Sequence, residues 1–261
     1  MIEMVKELVQ YRHLLFMLMW RDIRIKYKQS IMGFMWAIFM PVLIVAAGVL
    51  IKKVISVVSG NPLEMEDIIS VSVKSLPWAF FISSIKFATG SLVGNSNLVT
   101  KIYFPRAVLP IAAVLSNLVD FFIASIALAV LLTIAGIGIS VHILWLPLLL
   151  LVLILFTISL GLILSCGNLF FRDVKYIVEV LVTFAIFFTP VFYDASMFGN
   201  WESALLLNPV GAILENINAV VVLHKPPDFF WFGYSAIWAI GSLLIFSSIF
   251  HKAEFAFAEN I

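Results

Sequence analysis

The sequence predicts an all-α integral membrane protein: six transmembrane helices, an N-terminal amphipathic interface helix, and short re-entrant periplasmic helices between spans five and six. Three observations lead there. Of 261 residues, 63% are hydrophobic and 12% charged, with a mean hydropathy of +1.12, which leaves too little polar surface to coat a soluble globule. The apolar residues fall in runs long enough to cross ~30 Å of hydrocarbon as helices. The bases are distributed unevenly between the loops, as they are in multi-pass proteins.

Residues 1–32 form the interface element. From Tyr11 to Lys28, Leu14, Leu15, Met17, Leu18 and Ile25 alternate with Arg12, Arg21, Arg24 and Lys28 at helical spacing, which fits a helix on a membrane surface. A calmodulin target or a transit peptide shares the pattern, but neither runs straight into a spanning segment as this one does at Gly33. Residues 33–261 form one transmembrane domain, with spans at about 33–51, 76–94, 107–135, 143–165, 177–193 and 230–250.

Lys52 and Lys53 stop the first span, and Pro41 inside it predicts a bend. Ser56–Lys74 is mixed in character and reads as an extracytoplasmic loop with one amphipathic turn. The second span contains Lys86 and a Gly90, Gly94 pair suited to close helix contact. The third embeds Asn117 and Asp120. A tight turn over Gly136–His142 leads to the fourth, and the fifth ends at Thr189 and Pro190. Asp194–Phe229 is broken by Gly199, Asn208, Pro209, Gly211, Pro226 and Pro227. Within it, Ser203–Leu223 reads as one or two short helices dipping into the membrane; the alternative, a seventh span, is opposed by Glu215, Asn216 and Asn218 in mid-run. With the N-terminus inside, the N-terminal bases, Lys101, Arg106, Arg172, Lys175 and Lys252 are cytoplasmic. Lys52, Lys53, Lys74 and Lys225 are then outside, and both termini lie in the cytoplasm.

The loop from Asn95 to Arg106, NSNLVTKIYFPR, carries two bases and no acid. Its mixture of Ile102, Tyr103 and Phe104 with Lys101 and Arg106 suits docking onto a soluble partner; the alternative is an aromatic anchor in the lipid interface. The net charge of +1 gives no basic field for nucleic acid. No G-x-x-x-x-G-K-[ST] is present, so any ATP use belongs to another chain, and H-E-x-x-H and G-x-S-x-G are absent too. His13, His142, His224 and His251 are far apart in sequence and predict no metal site. The lone Cys166 is a small packing residue. Phe184, Phe188 and Phe192 fall on one face of the fifth span, with Phe34 and Trp36 in the first; such faces stack sugar rings or simply face lipid. Arg21, Arg24, Lys26 and Lys28 mark a place where an anionic substrate enters, each base contributing ~1 kcal/mol near the surface. Lys86 lies about 12 Å from Gly94 and Asp120 about 15 Å from Pro110 along their helices. That common depth predicts an intramembrane ion pair, the alternative being that Lys86 faces a channel and binds a diphosphate.

Several stretches together resemble one family. LPWAFF at 76–81, SLVGNSNLVTKIYFPRAVLP at 91–110, WRDIRIKYKQSIMGFMW at 20–36, LFFRDVKYIV and TPVFY within 169–193, and LLNPVGAI at 206–213 are similar to the membrane-spanning permease subunits of bacterial ATP-binding cassette exporters of polysaccharides. That group handles O-antigen, wall teichoic acid and some capsules, and the chain looks most like the O-antigen exporters. The resemblance implies an inner-membrane homodimer bearing two nucleotide-binding ATPase subunits. Such a complex moves a polyprenyl-diphosphate-linked polysaccharide from cytoplasm to periplasm. ATP and Mg would be bound by the partner, leaving no cofactor in this chain. It further implies that Asn97, Leu98, Lys101, Ile102, Tyr103, Phe104, Pro105 and Arg106 form the cassette-coupling helix, and that Phe34, Trp36, Phe184, Phe188, Phe192 and Tyr193 line a channel between the first and fifth spans. Met40 stands where the family commonly has Gln, and Asn216–Asn218 where many relatives carry Arg; both departures bear on substrate identity. The competing readings are the same architecture exporting teichoic acid, capsule, a small lipid or a drug, and an intramembrane lipid- or glycan-processing enzyme using Lys86 with Asp120.

Overall fold

The computed structural model describes residues 2–28, 33, 35–60, 62, 64–134 and 136–257; the Phe34 expectation falls outside them. Among the described residues every regular element is a helix. The order is α1 (Ile2–Gln10), α2 (Arg12–Tyr27), α3 (Met35–Ser59), α4 (Met65–Gly94), α5 (Ser96–Lys101), α6 (Val108–Ile134), α7 (Leu146–Phe170), α8 (Asp173–Phe188), α9 (Glu202–Leu206), α10 (Pro209–Val221) and α11 (Phe229–Ala253). Five helices are long and apolar enough to cross a membrane: α3, α4, α6, α7 with its preceding 3-10 turn, and α11. The predicted fifth span is α8, of 16 residues, about 24 Å long.

The bundle is built around α4, which packs against α3, α6, α7, α8 and α10. Of its apolar stretch 72% is buried, against 11% for α3 and 17% for α11. The hydroxyls near the end of α4 are satisfied along their own helix: Thr89 donates to the Ile85 carbonyl at 2.7 Å and Ser91 to that of Ala88 at 2.7 Å. The largest departure from the sequence reading is here. Ser56–Lys74 is not a loop with one turn: α3 runs to Ser59, and α4 begins at Met65 with Glu64 and Asp67 forming a capping box. Polarity misleads in this stretch because its charges find partners on other helices.

Gly90 and Gly94 meet nothing within 4 Å, so they make no close contact inside this chain. Gly48 does: a methyl group there would come within 2.5 Å of the Phe192 ring and of the Val71 side chain.

One end of the bundle gathers Leu18 of α2, Val99 of α5, Phe104, the first turn of α6, Leu169 of α7, and Phe250 and Phe257 from the C-terminal region into one cluster. Both chain ends and the α4–α6 loop therefore meet at this loop end. α2 packs along α6 from Leu18 to Lys26, burying Leu18 and Ile23 and leaving Phe16, Met17, Trp20 and Ile25 exposed. The opposite, far end gathers Lys52, Asp67, Lys74 and Asp194. Beside it α10, 13 residues and about 20 Å long, is too short to cross and sits buried against α4, α7 and α11. Asn208 caps it, accepting from the Val210 N–H at 3.1 Å and donating to Thr189 Oγ1 at 2.9 Å.

Candidate functional site

The loop between α4 and α6 is held rather than slack. After α5, Ile102 is 54% and Tyr103 97% exposed, whereas Phe104, next in sequence, is buried. What holds the loop is Arg106. Its backbone N–H donates to Glu254 Oε1 at 2.7 Å, its guanidinium donates to the Glu254 carbonyl and to the Val99 carbonyl at 3.3 Å, and it stacks 5.9 Å from the Phe257 ring centre. Sequence reasoning placed Phe104 and Arg106 on the docking surface. The structure puts Phe104 in the core and commits Arg106 to the end of α11, while Asn97, Lys101, Ile102 and Tyr103 stand exposed, with Leu98 and Pro105 half-buried. A cleft of about 260 Å³ opens beside Tyr103, lined also by Glu7, Tyr11, His251 and Phe255. α1, the loop and the end of α11 thus present one surface.

A second polar site lies deeper. Lys26, in the last turn of α2, pairs with Asp120 of α6 and donates to Asn117 Oδ1 at 3.0 Å; the Tyr27 hydroxyl also bonds Asp120. Burial, and then Asp120, raise the Tyr27 pKa above its ordinary value, so the phenol stays a donor. The expected Lys86–Asp120 pair is therefore corrected. Asp120 is served from α2, and Lys86 is exposed on α4 with no ion-pair partner among the described residues. Residue spacing along a helix does not fix azimuth, and the base that reaches Asp120 comes from α2 rather than from the adjacent span. Lys26 is consequently not a free base where a substrate enters. Arg21 is likewise tied to Asp22 at 2.8 Å, Arg24 lies 5.6 Å over the Trp20 ring, and Lys28 is exposed. Around the Lys26–Asp120 pair, a cleft of about 310 Å³ runs between α2, α3, α4 and α6, bordered by Trp36, Met40, Pro41, Phe80 and Phe87.

The far end holds a network that sequence reasoning missed. Lys74 has no exposed surface and reaches Asp194 at 2.7 Å, Glu215 at 3.4 Å and the Tyr193 carbonyl at 2.8 Å. Lys52 joins Asp67 at 2.7 Å and Asp194 at 2.9 Å. Burial alone would raise the Asp194 pKa, but the two ammonium groups outweigh it and hold the carboxyl at about 2. The available signal was Asp194 and Glu215 sitting in apolar surroundings without local bases.

Of the predicted channel residues, Trp36, Phe184 and Phe188 are exposed on α3 and α8. Phe192 is corrected: it is buried against Gly48, where the absent side chain makes room for its ring. The half-buried Tyr193 donates its hydroxyl to the Phe187 carbonyl at 3.1 Å.

Long apolar helices joined at one end by a braced, basic and aromatic loop, with Lys26, Lys52 and Lys74 each paired to a carboxylate from another segment, define a multi-pass membrane protein. The chain belongs to the ABC-2 type transporter family, whose model matches residues 13–222, and is a transport subunit rather than an enzyme. It is similar over its whole length to the O-antigen export system permease protein RfbA of Myxococcus xanthus, with 33% identity over 269 residues and full coverage of both chains. Two Klebsiella pneumoniae proteins of that description are 26% and 24% identical over 241 residues, covering 92% of this chain and 91% of each relative.

Proposed function

We propose that this chain is the permease of an O-antigen exporter: two copies form a channel, two separate ATPase subunits drive it, and a polyprenyl-diphosphate-linked polysaccharide passes from cytoplasm to periplasm. The relatives' printed descriptions support the cargo, and their full-length alignment supports carrying it over. The positions of the two ends support a sixth crossing beside the five long apolar helices. α7 finishes at the loop end, where Phe170 packs on Phe257, and Asp194 pairs at the far end with Lys52 and Lys74, so Arg172–Tyr193 carries the chain from one end to the other. The loop end is cytoplasmic, since it holds Lys101, Arg172, Lys175 and Lys252. α9 and α10 are the re-entrant pair, and the exposed apolar side chains of α2 rest in the headgroup layer.

The single observation that carries the reading is Tyr103, almost fully exposed on a loop that Arg106 braces from behind. A free aromatic on a rigid mount is the form of an interface anchor. Ile102→Ala with Tyr103→Ala is expected to weaken ATPase co-purification about 30-fold, the scale of losing one anchor, and to leave the chain's elution profile unchanged. Undiminished association, or ATP hydrolysis by the purified chain alone, would refute the reading.

A further inference from the structure

Lys86 is a cation two turns inside the loop end of the apolar helix α4, exposed and unpaired among the described residues. A lone ammonium about 12 Å along the helix from the loop end is costly, and an ionisable group at such a depth calls for a partner. Helix geometry puts it on the rim of the cleft around Lys26 and Asp120. The cleft face of α4 is Leu76, Ala79, Phe80, Ser83 and Phe87. Lys86, two turns after Ala79, shares its azimuth to within about 20°. The end of α2 closes the same mouth, with Lys26 Nζ 5.0 Å from the Phe87 ring centre. The lining is largely apolar and aromatic, and its one carboxylate, Asp120, is already neutralised by Lys26. The free charge at the opening is therefore positive.

We propose that Lys86 and this cleft form a binding site for an isoprenyl diphosphate: the first isoprene units lie against Phe80 and Phe87, and the diphosphate meets the Lys86 ammonium. This rests on the export reading and names the place where the carrier is held. The diphosphate is the head group the export reading supplies, and competition with the single phosphate of a bilayer lipid separates the two.

The test is retention of undecaprenyl diphosphate by the purified full-length chain in nanodiscs, read by native mass spectrometry, with phosphatidylglycerol as competitor. Wild type and Lys86→Arg should retain the isoprenoid, and Lys86→Met should weaken retention by roughly fivefold or more, since one base at the surface already contributes about that. Ser83→Trp, which fills the cleft and leaves the charge, should weaken it as well. Equal retention by Lys86→Met and wild type overturns the site while leaving export intact. No retention by wild type overturns the site and the cargo together. Displacement by equimolar phosphatidylglycerol makes the cleft an ordinary lipid site, and loss of the dimer in Lys86→Met with retention unchanged makes Lys86 a contact between copies; either result refutes the proposal.

Discussion

Lys74 has no solvent exposure, and its charge is balanced by Asp194 and Glu215 from segments far along the chain. Removing it leaves Glu215 without an ammonium partner and Asp194 with Lys52 alone, so Lys74→Met should lower stability by about 3 kcal/mol, the lower end for breaking a buried pair, and Lys74→Met with Asp194→Asn should lose less than the sum. Thermal unfolding in detergent reads both. The same network predicts an acid limit. Asp194 is held at about 2, below its ordinary 3.8, so its contribution is complete above about 4 and disappears as pH falls through 2. A melting temperature that stays flat from pH 5 to pH 2 would contradict this. Asp120 obeys the same logic at the other site. Lys26→Met should cost about 1–3 kcal/mol, between the limits for exposed and buried pairs. Adding Asp120→Asn should restore part of it, whereas Lys86→Met should change stability little.

The elements were legible to different degrees, for identifiable physical reasons. Runs such as 107–135 and 230–250 are uniformly apolar, and the observed helices α6 and α11 agree with them to within a few residues. Polar stretches were harder. The first two turns of α4, with Glu66, Asp67 and Ser70, resemble a loop until Lys52 and Asp194 are seen opposite Asp67 and Ser70. Proline placed the short helices well, since Pro209 opens α10 directly after its Asn208 cap. The α4–α6 loop was legible as a segment but not side chain by side chain. Nothing in KIYFPR says that Tyr103 points out and Phe104 in, because that depends on Arg106 finding Glu254, 148 residues later. Azimuth was the other blind spot, for Lys86 and Phe192 alike: a single chain's pattern gives depth readily, but not which neighbour occupies each face.

For the whole molecule, the two gathering points divide the chain by side. Single cysteines introduced into Cys166→Ala protein at Thr100 and Lys252 should react with a membrane-impermeant maleimide only in inverted vesicles. Those at Ser196 and Lys225 should react only in intact spheroplasts. Labelling of Thr100→Cys and Ser196→Cys from the same side would break the six-crossing arrangement. The attachment of α2 then takes on a mechanical meaning. It is a helix of 16 residues whose Leu18 is seated in the cluster that holds Val99 and Phe104, and whose last turn is fastened to Asp120 and Asn117 inside the bundle. Lys26 lies about 12 Å along the helix from Leu18, so a tilt of about 10° about that seat moves it by about 2 Å, which is enough to part a hydrogen bond. α2 thus ties the loop end to the Lys26–Asp120 pair, and any shift of its seat on Val99 and Phe104 is expected to be felt first at the one carboxylate of the α3–α4–α6 cleft.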